Sequence, residues 1–397
     1  MAPPSSTSYA AAWLKSITEV DQIQWDALAK PLDTPFLEWD WLRQMEISRS
    51  TTAETGWLPH HLTIWSDGGL VAAAPLYIKA HSAGEFVFDH AWADVARHLK
   101  ISYYPKLVGM SPFTPMVGYR FLMAPGENED QLTRQMIIEI ERFCRQYGLS
   151  GCSFLFVDPK WRRKMIHYGF ISWLHQSFSW YNEGYQSFDD YLSVFNSNQR
   201  RNIKRERRSI ENQGVYVKTF AGHEIPPALL SEIYPFYERT NDKFGPWGCK
   251  YLKRSFFKGL ADDYRHRLLV VAAYKKSRPD SPVGLSLLVH KRGHLYGRYW
   301  GCSTEINYLH FDACYYSPIE WGMANGIKRF DPGMGGYHKI RRGFTAVSNY
   351  SLHRFFDERL EQVMNSHIEE INRLEQEQID ALNADLPFAQ KNYPSNF

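Results

Sequence analysis

Long apolar runs are missing from this sequence. The longest two, Leu70–Ala74 and Leu268–Ala273, are far too short to span a bilayer and are typical of buried strands. The first residues, Met-Ala-Pro-Pro-Ser-Ser-Thr-Ser, also lack the basic region and apolar core of a signal peptide. We therefore expect a cytoplasmic protein without a transmembrane segment.

Cysteine is scarce as well. The five cysteines are odd in number, and no two of them have the Cys-x-x-Cys spacing. Such usage indicates reduced thiols in a cytosol and argues against a disulfide framework or a zinc site. His290 and His294 are close in sequence, but a turn expected at Gly293 separates them. We therefore predict no metal site.

Neither net charge nor a common motif identifies an enzyme class. The formal net charge is only +3, so a case for nucleic-acid binding needs a local basic patch. The chain has no Gly-x-Ser-x-Gly elbow and no phosphate-binding loop of the nucleotidase kind. It also lacks the Arg/Gln-x-x-Gly-x-Gly segment with which ordinary acetyltransferases hold coenzyme A. We expect no tightly bound cofactor.

The length and the order of the elements predict two lobes. The chain has 397 residues, of which 44% are apolar, and helix and strand patterns alternate along it. This alternation, which begins with a short helix predicted at Asp21–Lys30, predicts an α/β protein with mixed sheets and a terminal helix. A helix, a glycine, a strand and Asp-Pro occur around Gly148 and again around Gly326, an echo that duplication or chance would explain. The predicted boundaries are 1–176 for the first lobe, 177–356 for the second, and 357–397 for a terminal helix and tail.

The segment Phe330–Phe344 combines a glycine-rich turn with a cluster of cations. An apolar run ends at Phe330, three glycines follow, and four basic residues then fall within five positions. A flexible turn after a strand is a usual place for binding residues in open α/β sheets, and cations there can hold an anion or a developing oxyanion. The alternative is an ordinary surface loop with scattered basic residues. The candidate catalytic residues are Arg341, Lys339, His338 and Asp331.

A second cluster of cations lies on a helix that we predict from Ser187 to about Asn212. Six cations and one anion occur between residues 200 and 208, and Arg200, Lys204 and Arg208 share one helical face. Like charges at this spacing repel each other, so the cluster costs helix stability unless an anion offsets it. The two interpretations are a solvated basic face and a platform for a polyanion. The candidate residues for binding the phosphates of tRNA are Arg200, Arg201, Lys204, Arg205 and Arg208.

Three further segments contain candidate substrate-binding residues. Asn241–Tyr251 predicts an ordered loop over a cleft, although packing alone would explain its aromatic residues. His294–Gly301 alternates as a strand, with Arg298 and Trp300 on one side and Tyr299 on the other. His310 and Glu320 flank Cys314-Tyr315-Tyr316 at a helix predicted from Asp312 to Gly326, where either can orient a nucleophilic amine. The candidates are Arg298, Tyr299, Trp300, His310, Glu320, Trp247 and Tyr251.

Four stretches of the second lobe together resemble the FemAB-like proteins. They are Gln199-Arg-Arg-Asn-Ile-Lys-Arg-Glu-Arg, Leu295-Tyr-Gly-Arg-Tyr-Trp-Gly-Cys302, Leu309-His-Phe-Asp-Ala-Cys-Tyr-Tyr316 and Gly336-Tyr-His-Lys-Ile-Arg-Arg-Gly-Phe344. The resemblance covers most of residues 180–356 and is weaker over the first lobe. It implies two tandem GNAT-like lobes and acyl transfer to an amine.

The resemblance also implies a donor and an acceptor. The better-understood Fem enzymes take an aminoacyl group from aminoacyl-tRNA and attach it to the peptide stem of a cell-wall precursor. Their Phe-Lys pair before a Phe-Gly end is similar in place to Ile340-Arg341, so this chain has Arg where they have Lys. It also lacks the long helical hairpin with which some of them bind tRNA, and has only the basic helix.

Three hypotheses of function follow. The first is an amide-forming N-acyltransferase that uses aminoacyl-tRNA, with Arg341 and Lys339 stabilising the oxyanion and His338 or Asp331 handling the amine proton. The second is an acyltransferase of the same fold that uses acyl-coenzyme A, although the pyrophosphate motif is missing. The third is a recognition module that binds cell-wall peptide or an anionic glycan without catalysis.

Overall fold

The computed structural model describes residues 8–245 and 248–389 of the chain. Within them the helices are α1 (Gln22–Ala29), α2 (Trp39–Ile47), α3 (His90–His98), α4 (Glu129–Gln146), α5 (Pro159–His167), α6 (Phe188–Ser193), α7 (Ser197–Asn212), α8 (Pro227–Lys243), α9 (Arg254–Asp263), α10 (Leu309–Phe311), α11 (Ser317–Ala324) and α12 (Glu358–Ala384).

The strands of the described residues alternate with these helices. They are β1 (Ala10–Leu14), β2 (Trp57–Pro59), β3 (His61–Ser66), β4 (Gly69–Ala74), β5 (Leu76–Lys79), β6 (Lys106–Gly109), β7 (Leu122–Met123), β8 (Gly151–Phe154), β9 (Ile171–Tyr181), β10 (Val215–Ala221), β11 (Leu268–Lys275), β12 (Arg278–Lys291), β13 (His294–Cys302), β14 (Arg329–Asp331) and β15 (Thr345–Phe355). None of the helices in residues 8–245 and 248–389 has both the length and the apolar character needed to cross a bilayer.

The described residues form two compact units. Unit 1 contains residues 8–175, 251–256 and 349–373, and unit 2 contains the others. The terminal segment that we predicted at 357–397 is therefore divided between the units within α12. The predicted fold class, an α/β protein with mixed sheets in two tandem GNAT-like lobes and a C-terminal helix, is confirmed.

Unit 1 is built on two sheets of its described residues. A small antiparallel sheet has the strand order β1–β3–β4–β7. In the other, the order is β15–β8–β6–β5–β2, with β6 and β8 parallel and the other neighbours antiparallel. Helices α3 and α12 cover part of this unit through a cluster of buried side chains, formed by Trp92, Ala96, Tyr103, Ile171, Phe355, Leu360, Met364 and Ile368.

Unit 2 contains a sheet with the strand order β10–β11–β12–β13–β14–β9. Strand β11 is buried along Leu268–Tyr274, as expected for an uninterrupted apolar run. Strands β13 and β14 are parallel, whereas their neighbours in the sheet are antiparallel. The short strand β14 therefore ends beside β13, and this end of the sheet is where the candidate catalytic segment begins.

The echo noted in the sequence has a counterpart in the backbone. In each case a helix ends at a glycine with positive φ, and a strand follows it. A short helical segment then leads to a second glycine with positive φ and to another strand. The φ angles are +63° at Gly148 and +84° at Gly169, and +70° at Gly326 and +73° at Gly343. An L-residue with a Cβ rarely adopts these angles, which explains the choice of glycine.

Two predicted helices differ from the observed ones. The single helix predicted from Ser187 to about Asn212 is wrong, because buried Phe195 interrupts it and the Asn196 side chain caps α7 by accepting the Gln199 N–H at 2.9 Å. The helix predicted from Asp312 to Gly326 instead starts with a wide π-helical turn over Asp312–Tyr316. Such turns often occur at functional sites.

Candidate functional site

The candidate site begins where β14 ends. Asp331 is 4% exposed, and its Oδ1 accepts the N–H of Gly333 at 3.0 Å, which starts the turn. Gly333, Gly335 and Gly336 all have positive φ angles. At Gly336 a Cβ would lie 2.5 Å from Cε1 of His338, so only glycine fits this conformation and this space.

Lys339 points inward from the 3-10 turn Tyr337–Arg342 that follows. It is 2% exposed, and its Nζ donates to the carbonyl oxygens of Gly333 at 2.6 Å and Met334 at 3.2 Å. The same Nζ lies 5.3 Å from the centre of the Phe178 ring. Burial lowers the pKa of Lys339 to about 8, although the nearby Asp331 carboxylate opposes this change. This ammonium therefore titrates close to physiological pH.

The pKa of the Asp331 carboxyl lies above that of an exposed carboxyl. Burial raises it, and the positive charges of Arg329, Lys339 and Arg298 only partly oppose that effect. A carboxylate with a raised pKa is a stronger base than an exposed one. Asp331 and Lys339 are thus a pair of buried titratable groups, each close enough to the other to influence its pKa.

His338 and His310 form an aromatic group beside this pair. The Nε2 of His338 is hydrogen-bonded to the Tyr315 hydroxyl at 2.9 Å, and the two histidine rings are 5.8 Å apart. Burial lowers the pKa of His338 to about 4 and that of His310 to about 3, so both rings are neutral at pH 7. Trp300 approaches His310 with a ring separation of 5.8 Å.

The two arginines at the end of the turn have different environments. Arg341 is exposed, and its guanidinium has no partner among the described residues, whereas its carbonyl accepts Nε2 of Gln199 at 2.6 Å. Arg342 is 4% exposed and donates to Glu206 at 2.9 Å and to the carbonyl of His338 at 2.8 Å. The hydroxyl of Tyr316 also donates to Glu206, at 2.6 Å. Sequence reasoning selected Arg341 and missed the Arg342–Glu206 pair.

Arg298 lies at a β-bulge in β13. The pairing with β12 joins Tyr299 to Leu287 and Gly297 to Leu288, which leaves Arg298 as the extra residue. The simple alternation predicted for this strand is therefore wrong at Arg298. Its Nη2 donates to the Tyr299 hydroxyl at 3.0 Å. A bulge re-aims a side chain, and here Arg298 is near enough to Asp331 to lower its pKa.

Most of the cations predicted to bind a polyanion are exposed on α7. Lys204 forms an exposed ion pair with Asp189 at 3.3 Å, and Arg200 donates to the Phe195 carbonyl. In the described part of the chain, the other three candidates have no partner and are exposed: Arg201, Arg205 and Arg208. Three unpaired guanidinium groups on one short helix are available for an external anion.

Three predicted substrate-binding residues lie elsewhere or cannot be placed. Glu320 pairs with Arg207 at 2.8 Å instead of with the Lys339 turn. Tyr251 belongs to unit 1, where it stacks on Phe113 with ring centres 5.0 Å apart. Trp247 lies outside the described residues. Within those residues, no group of three or more His, Cys, Asp and Glu side chains is arranged to hold a metal ion.

The arrangement in unit 2 suits acid–base chemistry beside a helix with exposed cations. Lys339 has three N–H groups, of which two reach carbonyls, so one remains for a substrate oxygen. Asp331 can accept a proton, and the neutral rings of His338 and His310 keep the surroundings weakly polar. The exposed cations of α7 stand on the helix that Gln199 and Glu206 connect to the turn.

Comparison with protein families gives one match that covers most of the chain. The model for FemAB-like proteins, described as peptidoglycan biosynthesis/recognition, matches residues 16–390. A comparison with curated protein sequences finds no match.

Solved structures with a similar fold include FemX, at 11% sequence identity and a TM-score of 0.53, covering 89% of this chain and 99% of that one. They also include the C-terminal domain of a putative lysylphosphatidylglycerol synthetase from Agrobacterium fabrum, at 10% identity and a TM-score of 0.52, covering 89% and 97% of the two chains. At these identities the likeness concerns the fold alone.

Proposed function

This chain belongs to the FemAB-like family, and from that premise we propose that it is an amide-forming N-acyltransferase. The donor in this proposal is an aminoacyl-tRNA, and the acceptor is an amine such as that of a peptidoglycan precursor peptide. Because aminoacyl-tRNA is used in the cytoplasm, the proposed reaction takes place there.

One observation supports the proposal above the others, namely the direct connection between the Lys339 turn and the basic helix. Gln199 and Glu206 are on the inner side of α7 and bind the Arg341 carbonyl and the Arg342 guanidinium. The outer side of the same helix presents exposed cations. A nucleic acid bound on the outer side would therefore be held by the helix that also positions the reacting groups.

The proposed chemistry needs no activation of the donor, because the aminoacyl ester is already reactive. The acceptor nitrogen forms a bond to the ester carbonyl carbon, and the bond from that carbon to the ribose oxygen breaks. Lys339 donates its remaining N–H to the oxyanion of the tetrahedral intermediate. Asp331 takes the proton that the nitrogen loses, and that proton ends on the ribose hydroxyl.

In this proposal we assign the role of base to Asp331, because the Nε2 of His338 is already engaged by the Tyr315 hydroxyl. With a pKa of about 4 and its Nε2 engaged by Tyr315, His338 is a weak base. The pKa of Asp331 is raised by burial, which strengthens its carboxylate as a base. In this proposal His338 and Tyr315 pack beside the acceptor and hold the turn.

The test is a transfer assay with a labelled aminoacyl-tRNA pool and a set of amine-bearing peptides. Formation of a labelled amide that depends on charged tRNA would support the proposal and identify the amino acid. An amide formed from acyl-coenzyme A, with release of free coenzyme A, would replace it with the second hypothesis. Peptide binding without turnover of either donor would support the third hypothesis, a recognition module without catalysis.

A further inference from the structure

The chain returns to the start of the basic helix after α12 ends. The segment 386–389 lies in unit 2 and forms an antiparallel bridge with the residues just before α7. The N–H of Asn196 donates to the carbonyl of Pro387 at 2.9 Å. The N–H of Ala389 donates to the carbonyl of Val194, also at 2.9 Å. Because these bonds join backbone groups, they fix the paths of both chain segments.

Phe388 adds an aromatic contact to this bridge. Its ring centre lies 5.6 Å from that of Phe195, which is fully buried. Leu386, at the start of the segment, is buried as well. A pair of rings at this distance contributes attraction beyond the burial of its apolar area. The segment is therefore held to unit 2 by side chains as well as by its backbone.

The aromatic pair packs on the backbone of Gly343, the residue that follows the Lys339 turn. A Cβ at Gly343 would lie 2.8 Å from Cζ of Phe195 and 3.6 Å from Cε1 of Phe388. The first distance is shorter than a Cβ atom tolerates, and the φ angle of +73° also favours glycine. The segment 386–389 is thus packed against both the start of α7 and the end of the turn.

Hydrogen bonds continue from this segment into the turn. Asn196, which is bonded to Pro387, accepts the N–H of Gln199 with its Oδ1 at 2.9 Å. The Nε2 of Gln199 donates in turn to the carbonyl of Arg341 at 2.6 Å. Three consecutive hydrogen bonds therefore connect Pro387 to the Lys339 turn through the first residues of α7.

Tyr191 gives Phe195 a second support that does not involve Phe388. Its ring centre lies 5.1 Å from that of Phe195, and its hydroxyl donates to the carbonyl of Arg342 at 2.7 Å. Phe195 therefore keeps part of its packing when the Phe388 ring is removed. We expect a variant at Phe388 to fold and to loosen the position of α7.

We propose that the segment 386–389 positions α7 relative to the Lys339 turn, with Phe388 as a positioning residue. The reacting groups of the proposed transfer are in the turn, and the cations that would hold the tRNA are on the outer side of α7. A shift of the helix leaves those cations in place on it but moves the donor ester away from the turn. The role in the transfer rests on the proposed function, whereas the contacts themselves do not.

The test uses two variants that remove different contacts of the segment. Phe388→Ala removes the ring, and Ala389→Pro removes the N–H that donates to Val194. Phe388→Leu keeps an apolar side chain and serves as the conservative variant. Leu374→Ala, at an exposed position of α12 in the same unit, is the matched control. Circular dichroism would verify that all four variants fold alike.

The transfer assay separates positioning from binding. We expect Phe388→Ala and Ala389→Pro each to lower kcat by about tenfold or more, since a misplacement of about 1 Å can cost about 10²-fold. The KM for aminoacyl-tRNA and its retention on filters should change by less than about twofold, because the cations of α7 are untouched. Phe388→Leu should recover most of kcat, and Leu374→Ala should match the wild-type protein in both quantities.

Hydrogen exchange without any substrate tests the contacts directly. The amide hydrogens of Asn196 and Gln199 should exchange at least about tenfold faster in Phe388→Ala than in the wild-type protein or in Leu374→Ala. Unchanged exchange would overturn the inference. So would fast exchange with a wild-type kcat, or a raised KM with kcat unchanged. A wild-type protein that forms no amide would refute the proposed function, and the exchange rates would still decide whether this segment holds α7.

Discussion

Lys339 is proposed to stabilise the oxyanion of the reaction, and its ammonium titrates near neutral pH. If its ammonium stabilises the oxyanion, Lys339→Met should lower kcat by about 10²–10³-fold, which is the usual effect of losing one such donor. Lys276→Met, at an exposed lysine of the same unit, is the control and should keep its activity. Equal rates in the two variants would remove Lys339 from the mechanism.

The pH dependence of kcat shows whether Lys339 acts as the charged ammonium or as the neutral amine. The pKa of Lys339 is about 8, so its ammonium is present below that pH and is lost as pH rises through it. We expect kcat to fall above about pH 8, and we expect Lys339→Arg, which stays charged, to extend the plateau upward. A rate that instead rises through pH 8 would mean that the neutral amine acts as a base.

The buried pair of Arg342 and Glu206 supports the same turn. Arg342→Met leaves the Glu206 carboxylate buried without its cation, so we expect a loss of about 3–5 kcal/mol in the free energy of unfolding. Urea denaturation would measure it. The double variant Glu206→Gln/Arg342→Met removes both charges and should recover most of that loss. If it is no more stable than Arg342→Met, the charge pair is not the cause.

The residues of the candidate site also show which features of a site can be predicted from sequence. Asp331, His338 and Lys339 were predicted together because they lie in one segment. The pair of Arg342 and Glu206 spans 136 positions, and no local pattern indicates it. The sequence gives one weak sign of this pair, because Glu206 is the one anion among the six cations between residues 200 and 208.

At the scale of elements, α7 is the part of the proposal with the clearest electrostatic test. Reversing Arg201, Arg205 and Arg208 to Glu should weaken retention of aminoacyl-tRNA and lower the slope of log K against log salt by about 2–3. The reason is that each cation that contacts a phosphate releases a counterion. Filter binding at about 50 and 200 mM salt would measure both quantities.

The control for this variant has the same net charge. Lys258, Lys276 and Arg278 are exposed in unit 2 and lie outside α7, and their reversal to Glu changes the long-range field equally. We expect the control to bind tRNA much more tightly than the α7 variant at either salt concentration. A matching loss of affinity would show that net charge, and not this helix, governs retention.

Sequence patterns predicted the elements well where the deciding contacts are local. The helix predicted at Asp21–Lys30 is α1, and the Asp21 side chain caps it by accepting the Ile23 N–H at 2.9 Å. The break before α7 escaped prediction because burial of Phe195 depends on tertiary packing, including Phe388 with ring centres 5.6 Å apart. The π-helical turn at Asp312 likewise depends on distant partners of Tyr315 and Tyr316.

At the scale of the whole molecule, buried neutral histidines make stability sensitive to acid. Burial lowers the pKa of five rings below 6.5, to about 3 or about 4: His175, His290, His310, His338 and His353. Unfolding lets each ring take up a proton between its folded value and 6.5, so stability is present above pH 6.5 and is lost as pH falls below it. Each ring contributes up to about 1.4 kcal/mol per pH unit.

Urea midpoints measured between pH 7.5 and 5 should therefore fall steeply below pH 6.5. His353 is hydrogen-bonded to Ser153 and Ser351, and its replacement by Gln should make the dependence shallower by about one proton. His98→Gln, at an exposed histidine of the same unit, should leave the dependence unchanged. A midpoint that is constant down to pH 5 would contradict this account of the burial of the histidines.

The division of the chain into units has a consequence for synthesis on the ribosome. Strand β8 of unit 1 pairs with β15, and residues 349–373 complete this unit although all of 257–348 is made before them. Domains usually fold in the order in which they emerge, but here the first cannot close its sheet until the second has been translated. The nascent chain therefore carries an open strand edge at β8 while all the residues between β8 and β15 are made, and such edges invite aggregation. Translation speed and chaperone supply should accordingly affect the yield of this protein more than they affect a chain whose units are contiguous.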